Sequence, residues 1–406
     1  MNRSPIVPIF LIVLVDILGL TMLMPLLPFY ARTFGATAEQ VGALLSVYAL
    51  FSLISGPPLG SLSDRFGRKP VLLASQCGTF LGLLLMASAG SLWVVFLARI
   101  IDGATAGNIT VAQAYIADVS KPSERAKSFG LIGIAFGIGF LIGPASTAFV
   151  ASHFGDRTAV LVAAGFSFTS LLTTLFMLPA NPPRPAPEPG EPAPPVTTRT
   201  SPFDFRVYAE FFRRPGIGPL LWQFFAFQLC FGMFFGGFAL YAERRFGLDT
   251  SGVSYSMTYV GLLGIVVQGF LLQRLIKALG ESRLMVIGFL AAISSQTILA
   301  LAWSVPAMYA GMTALAFTGF LRPIISSLVS RRTSPLEQGA VMGLTQSLSA
   351  ISQILGPLLS GFLIGRDWLV AWGLTAAAIA AVGLALQRSA KAELYVGAAA
   401  VAKTGA

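Results

Sequence analysis

Charge is scarce in this chain. Only 11% of its 406 residues are charged while 55% are hydrophobic, and the mean hydropathy is +0.76, a composition that a water-facing surface does not accommodate. Histidine occurs once, as His153 between two apolar runs, so a relay of imidazoles inside a membrane is excluded and the residue reads as a surface one. Cysteine occurs twice, at Cys77 and Cys230, each isolated in apolar sequence. That excludes a disulfide framework or a C-x-x-C metal or redox site and leaves two core thiols. H-E-x-x-H, G-x-S-x-G and paired carboxylates at short spacing are all missing, which removes the grounds for an enzyme. Nothing in the sequence calls for a cofactor or a metal.

What the chain does have is long apolar runs of roughly 18 to 25 residues, the length that crosses a hydrocarbon core as a helix. They predict an all-α membrane protein with twelve transmembrane helices, numbered 1 to 12 here: 6–30, 40–62, 71–89, 91–116, 127–150, 158–179, 217–241, 252–274, 284–302, 306–330, 337–363 and 367–387. The first is too long for a signal peptide and carries Asp16 and Pro25, so it is read as retained. An even number of spans puts both termini on one side. Most of the 27 basic residues lie in the termini and the even-to-odd loops, so that side is cytoplasmic and the location is the inner (plasma) membrane. The net charge of +10 is accounted for by these short basic loops, and no nucleic-acid partner is expected.

Hydrophobicity collapses in the proline-rich stretch from Asn181 to Pro195, which can neither span nor pack a core. The expected organisation is a six-helix bundle over 1–180, a cytoplasmic linker over 181–215, a second bundle over 216–390 and a cytoplasmic tail over 391–406. Within the linker, 203–212 reads as an amphipathic segment along the membrane interface or as plain connection. Pro122, Glu124, Gly130, Gly143 and Pro144 recur as Pro335, Glu337, Gly343, Gly356 and Pro357, all at one constant offset. The two bundles are therefore pseudo-symmetric repeats.

The stretch Gly60-Ser-Leu-Ser-Asp64-Arg65-Phe-Gly67-Arg68-Lys69 fills the short gap between helices 2 and 3. Gly60 and Gly67 allow close approach and a tight turn, while Asp64 accepts and Arg65, Arg68 and Lys69 donate hydrogen bonds. This pattern, G-x-L-x-D-R-x-G-R-K, resembles the loop between helices 2 and 3 of the major facilitator superfamily. The resemblance implies the major facilitator fold, with a substrate site between the bundles near mid-membrane. It also implies a latch in which the acid of this loop engages the opposite half in the outward-facing state, with Ser334 to Glu337 as receptor and Asp118 and Arg125 in the same network.

Arg99 opens Arg99-Ile-Ile-Asp102-Gly103-Ala-Thr-Ala-Gly107 in helix 4, similar to the R-x-x-x-G motif of proton-coupled members. An unpaired cation at that depth costs about 3 kcal/mol or more, so it needs a partner. Asp102 shares its helix face and Asp16 lies at similar depth. Asp16 is favoured as the proton-carrying group, because a carboxyl in low dielectric exchanges a proton unless a cation holds it ionised; the competing reading is a static Asp–Arg pair. Gly139, Gly143 and Pro144 in helix 5 resemble the antiporter motif G-x-x-x-G-P, with Ser146 and Thr147 replacing its later glycines. Generic small-residue packing competes with that reading.

Over nearly the whole chain the resemblance is closest to the tetracycline/proton antiporter group, carried by Leu14 to Pro28, Tyr115 to Asp118 and Glu243 to Gly247. Where that group has an acid in helix 3, a histidine in helix 8 and an acid in helix 9, this chain has Gly82, Gly264 and Ala292. The expectation is therefore proton-coupled efflux of some other amphipathic small molecule, by a monomer working in the lipid bilayer. Gln228, Phe231, Phe235, Gln268 and Gln296 are the expected lining of an apolar cavity with a few amides. Arg322 either faces that cavity and attracts an anionic group or snorkels to the interface. A lipid or lysolipid translocator and a proton symporter importing a small metabolite are the alternative functions.

Overall fold

The computed structural model describes residues 6–120, 125–179, 205–334 and 337–404, and its regular structure there is helical. Twelve helices are long and apolar enough to cross a membrane: Ile6–Arg32, Ala38–Phe66, Arg68–Ala87, Leu92–Val119, Ser128–Phe154, Asp156–Met177, Gly218–Phe246, Thr250–Leu279, Glu281–Leu301, Val305–Arg331, Gln338–Gly365 and Leu369–Gln387. Each overlaps one predicted run, so helices 1 to 12 keep their numbers. The last continues as helix to Thr404. Local sequence sets several ends. Thr37 and Gln40 form a reciprocal capping box at the start of helix 2, and Ser304, with a proline in the first turn, starts helix 10. Gly67 between helices 2 and 3 has φ +95° and Gly280 between helices 8 and 9 has φ +78°, a region that side chains with a Cβ rarely enter. The two glycines obey the constant offset of the repeat.

Three of these helices are not continuous. Helix 4 consists of Leu92–Ala104 and Asn108–Val119 with a turn between them. Helix 8 contains a π segment at Val266–Leu271, and helix 10 a 3₁₀ segment at Phe317–Phe320. Hydropathy averages over such breaks, because the apolar composition is unchanged when the hydrogen-bond register slips by one residue. The breaks in helices 4 and 10 are repeat-equivalent: Thr105 and Thr318 stand at the constant offset. Each donates its hydroxyl hydrogen bond to a carbonyl one turn back, Thr105 to Ile101 at 2.8 Å and Thr318 to Leu315 at 2.7 Å.

The described residues fall into two compact units, one joining Met1–Glu191 to Gly237–Leu262 and the other joining Pro192–Gly236 to Leu263–Ala406. Helices 7 and 8 thus contribute to both. In the first unit helix 1 packs along helices 5 and 6, helix 3 on helix 6 and helix 2 on helix 4, around a core that includes Ile9, Ile12, Ile17, Leu72 and Tyr115. Helices 1 and 5 touch through glycine: a Cβ on Gly139 would enter Ile17 and one on Gly143 would enter Thr21. Hydroxyls tie the same seam, with Thr21 Oγ1 donating to the Gly139 carbonyl at 2.8 Å and Thr147 Oγ1 to that of Met22 at 2.9 Å. Interhelical hydrogen bonds in membranes contribute about 0.6 kcal/mol each, so the close glycine contact carries more of the packing than either bond.

The second unit repeats this seam. Gly356 abuts Gly232, and Ser360 Oγ donates to the Met233 carbonyl at 2.8 Å. Its core joins Phe211, Leu221, Phe224, Phe289, Phe320 and Leu321, and helix 9 packs on helices 10 and 12. The predicted amphipathic segment forms the helix Phe205–Arg213, with Phe211 buried in this core. The linker over 180–204 lies outside the described residues. Of the two thiols predicted in the core, Cys230 is buried but Cys77 is exposed.

Candidate proton and substrate sites

The first unit holds a polar cluster built from five helices. Arg99 and Asp102, one turn apart on helix 4, form a buried ion pair at 2.5 Å, and the guanidinium lies 4.2 Å from the centre of the Tyr48 ring on helix 2. Thr79 on helix 3 adds a hydrogen bond to Asp102. Asp16 on helix 1 engages neutral donors instead: Gln76 on helix 3, Asn108 just beyond the break in helix 4 and Ser170 on helix 6. Gln76 Nε2 also donates to Ser170 Oγ at 2.7 Å. Of the two acids expected within reach of Arg99, Asp102 is its partner and Asp16 is not. Asp102 reaches the guanidinium within its own helix, at no cost in tertiary ordering, and neutralises it. Among the described residues no cation pairs with Asp16. Gln76 and Asn108 were not singled out from sequence; the glycine before Asn108, at the end of an Ala-Thr-Ala-Gly run, was the available signal.

In the loop motif Arg68 is the hub. It pairs with Asp64 at 2.6 Å and with Asp118 at 2.8 Å, and donates to Ser63 Oγ at 2.6 Å. Lys69 Nζ donates to the Leu175 carbonyl at 2.7 Å, and Arg65 stacks over Phe66. The motif thus ties together helices 2, 3, 4 and 6 of its own bundle. Gly67 makes the turn as expected, but Gly60 has open space beside it, so no close approach depends on it. The Arg125 side chain lies outside the described residues. Ser334 donates to Glu337 at 3.0 Å, and Glu337 is paired at 2.8 Å with Arg214, which also holds Glu210. The Arg214 contact keeps the Glu337 carboxyl below its ordinary range.

The predicted cavity residues separate into two sets. Gln228 is buried and donates to Ser349 Oγ at 2.9 Å, and Gln296 is wholly buried in helix 9, near the packing with helix 12, with both amide atoms unpartnered. Both side chains are buried within the second unit. Phe231 and Phe235 are half-buried and touch in a tilted arrangement with ring centres 4.5 Å apart. Gln268, within the π segment of helix 8, and Arg322, just past the 3₁₀ segment of helix 10, are exposed.

The sequence model of the Major Facilitator Superfamily matches residues 9–293 and 269–394. The chain is 33% identical to the class B tetracycline resistance protein of Escherichia coli, over 88% of each chain. It is 34% identical to the class G protein of Vibrio anguillarum, over 88% of this chain and 89% of that one. A crystal structure of the human organic anion transporter MFSD10 superposes with a TM-score of 0.70 at 23% identity, covering 95% of this chain and 99% of the other.

Proposed function

The chain belongs to the Major Facilitator Superfamily, and on that premise we propose that it is a proton-coupled antiporter exporting an amphipathic small molecule across the inner membrane by alternating access, with both termini cytoplasmic. The observation that carries the reading is the environment of Asp16. Its carboxyl sits among three neutral donors on three other helices, while the nearby Arg99 is already neutralised by Asp102. A carboxyl held by neutral partners in a low-dielectric interior exchanges a proton without first breaking an ion pair. Neutralising it changes which hydrogen bonds its donors make. A proton can then bias the two facing states, and antiport needs only that proton and substrate prefer different states.

The tetracycline resistance relatives support drug-type efflux as the class. Tetracycline itself is a poor fit at one point. An acid in place of Gly82 would start from a Cβ 3.1 Å from the Ala98 carbonyl and 3.4 Å from the Asp102 side chain, so it would press on helix 4 and set a second carboxylate beside Asp102. Liposomes containing the purified protein and a luminal pH dye test the proposal under an imposed pH gradient. Substrate-triggered proton movement in the wild type that is lost in Asp16→Asn is the expected result. Transport with unchanged pH dependence in that variant removes Asp16 from the mechanism. Lipid movement without proton movement replaces efflux by lipid translocation.

A further inference from the structure

The two repeat-equivalent breaks carry different chemistry. In helix 4 the turn over 105–107 is followed by Asn108, which serves the Asp16 cluster. In helix 10 the 3₁₀ turn Phe317–Phe320 is followed by Arg322. Among the described residues no ion pair, hydrogen bond or ring contact engages this cation, although nine residues separate it from Arg331 at the end of the span, roughly 13 Å along a helix. The face it stands on is inverted for a lipid-facing helix. Arg322, Ser326 and Ser327 are exposed while Leu321, Ile324, Ile325 and Val329 are buried. Charged residues at such depth face polar cavities and mark ligand paths.

The neighbouring helix completes the arrangement. The π segment of helix 8 meets the 3₁₀ segment of helix 10, and the Gln268 amide lies over Gly319, its Nε2 only 2.9 Å from where a Cβ would stand. Gly319, in the 3₁₀ segment, and Arg322, in the first turn of the α-helix that follows, are three residues apart, a spacing that keeps two positions on one side of either kind of helix. An amide donor and a guanidinium therefore flank the same spot, beside an apolar cluster that contains Phe320 and Leu321 and is edged by Phe231 and Phe317. Interrupted helices are where membrane transporters hold substrate groups. We propose that the second-unit break is the subsite for an anionic group, and that the exported molecule is an amphipathic organic anion whose carboxylate or sulfonate is held by Arg322 and Gln268 and whose apolar body lies toward Phe231. This rests on the efflux reading and narrows its substrate class.

The test measures binding, apart from transport, on the full chain in lipid nanodiscs. Three probes share one ring system: 2-naphthylacetate, 2-naphthylacetamide and 2-naphthylethylammonium. The wild type is expected to bind the acetate at least about tenfold more tightly than the amide, as a charge-assisted contact implies. Arg322→Gln should remove that preference with amide binding unchanged, and Arg322→Lys should restore part of it. If Arg322→Gln fails to fold, Gln268→Leu is expected to weaken acetate binding more than amide binding, since a donor bonds a charged acceptor more strongly. Equal binding of all three probes, binding of none, or an anion preference that survives Arg322→Gln overturns the assignment. Anion binding without coupled proton movement in liposomes would retain this subsite and overturn the antiport reading; proton movement driven only by neutral or cationic compounds would do the reverse.

Discussion

Helices 4 and 10 break at the same place in the repeat, and the difference between them shows which parts of a duplicated bundle are scaffold and which are chemistry. Both use a threonine at the break, Thr105 and Thr318, to satisfy a carbonyl one turn back. Both halves close a glycine seam with a hydroxyl at the equivalent position, Thr147 on Met22 and Ser360 on Met233. Around the break of helix 4 the cation is neutralised in place by Asp102; around that of helix 10 it is left without an acid. The position of the break has been kept while the charge pattern has diverged.

The largest effect should come from filling the seam of the first half. A Cβ on Gly143 would already stand 2.0 Å from Thr21 Oγ1, so Gly143→Leu should exceed the usual overpacking cost of about 1 to 3 kcal/mol. Folded yield by size-exclusion chromatography should fall sharply; normal yield would mean that the helix 1–5 contact yields easily. Next is Asp102→Asn, which leaves Arg99 buried and unpaired. Removing one partner of a buried pair costs about 3 to 5 kcal/mol in soluble hosts, but the stacking on Tyr48 and the adjacent polar cluster should soften it here. Arg322→Gln in the other half, by contrast, should leave thermal stability unchanged, and a loss equal to that of Asp102→Asn would erase the distinction between a neutralised and an open cation.

Smaller effects sharpen the comparison. Thr147→Val and Ser360→Ala each remove one seam hydrogen bond and should lower stability by similar amounts, about 0.6 kcal/mol, with Ser360→Ala slightly worse because Trp372 Nε1 also loses its acceptor. Markedly unequal melting shifts would mean that the seams are not equivalent. Glu337→Gln should give the smallest change, at most about 1 kcal/mol for an exposed pair. The folded carboxyl is depressed below its ordinary 4.5, so its contribution is present above that value and lost as pH falls through the lower folded one. The variant and the wild type should therefore differ in melting temperature at neutral pH and converge in acid.

The spans, the turn at Gly67 and the Arg99–Asp102 pair were legible because each is set by sequence-local physics: hydropathy over some twenty residues, a positive φ, and a spacing of three on one helix face. The partners of Asp16 were not, since Gln76, Asn108 and Ser170 reach it from three other helices and only tertiary packing selects them. Gln228 and Gln296 misled for the opposite reason. An amide among aromatics suggests the lining of an apolar cavity, but the structure buries both, one as a tie to Ser349 and the other on helix 9 without a hydrogen-bond partner. The breaks left only faint traces, a glycine at 107 and a Gly-Phe-Leu-Arg-Pro run from 319, which composition alone does not distinguish from ordinary membrane helix.

The neutralisation of Arg99 has an electrical consequence. A unit charge displaced across a 100 mV membrane potential exchanges about 2.3 kcal/mol with the field, so a lone buried cation would make reorientation strongly voltage-dependent. Arg99 and Asp102, 2.5 Å apart on one helix, move as a dipole of no net charge and exchange almost nothing. Any voltage dependence of the cycle then belongs to Asp16, to Arg322 and to the transported molecule, and capacitive currents from oriented proteoliposomes on a solid-supported membrane should vanish with those charges and persist in the double variant Arg99→Gln, Asp102→Asn.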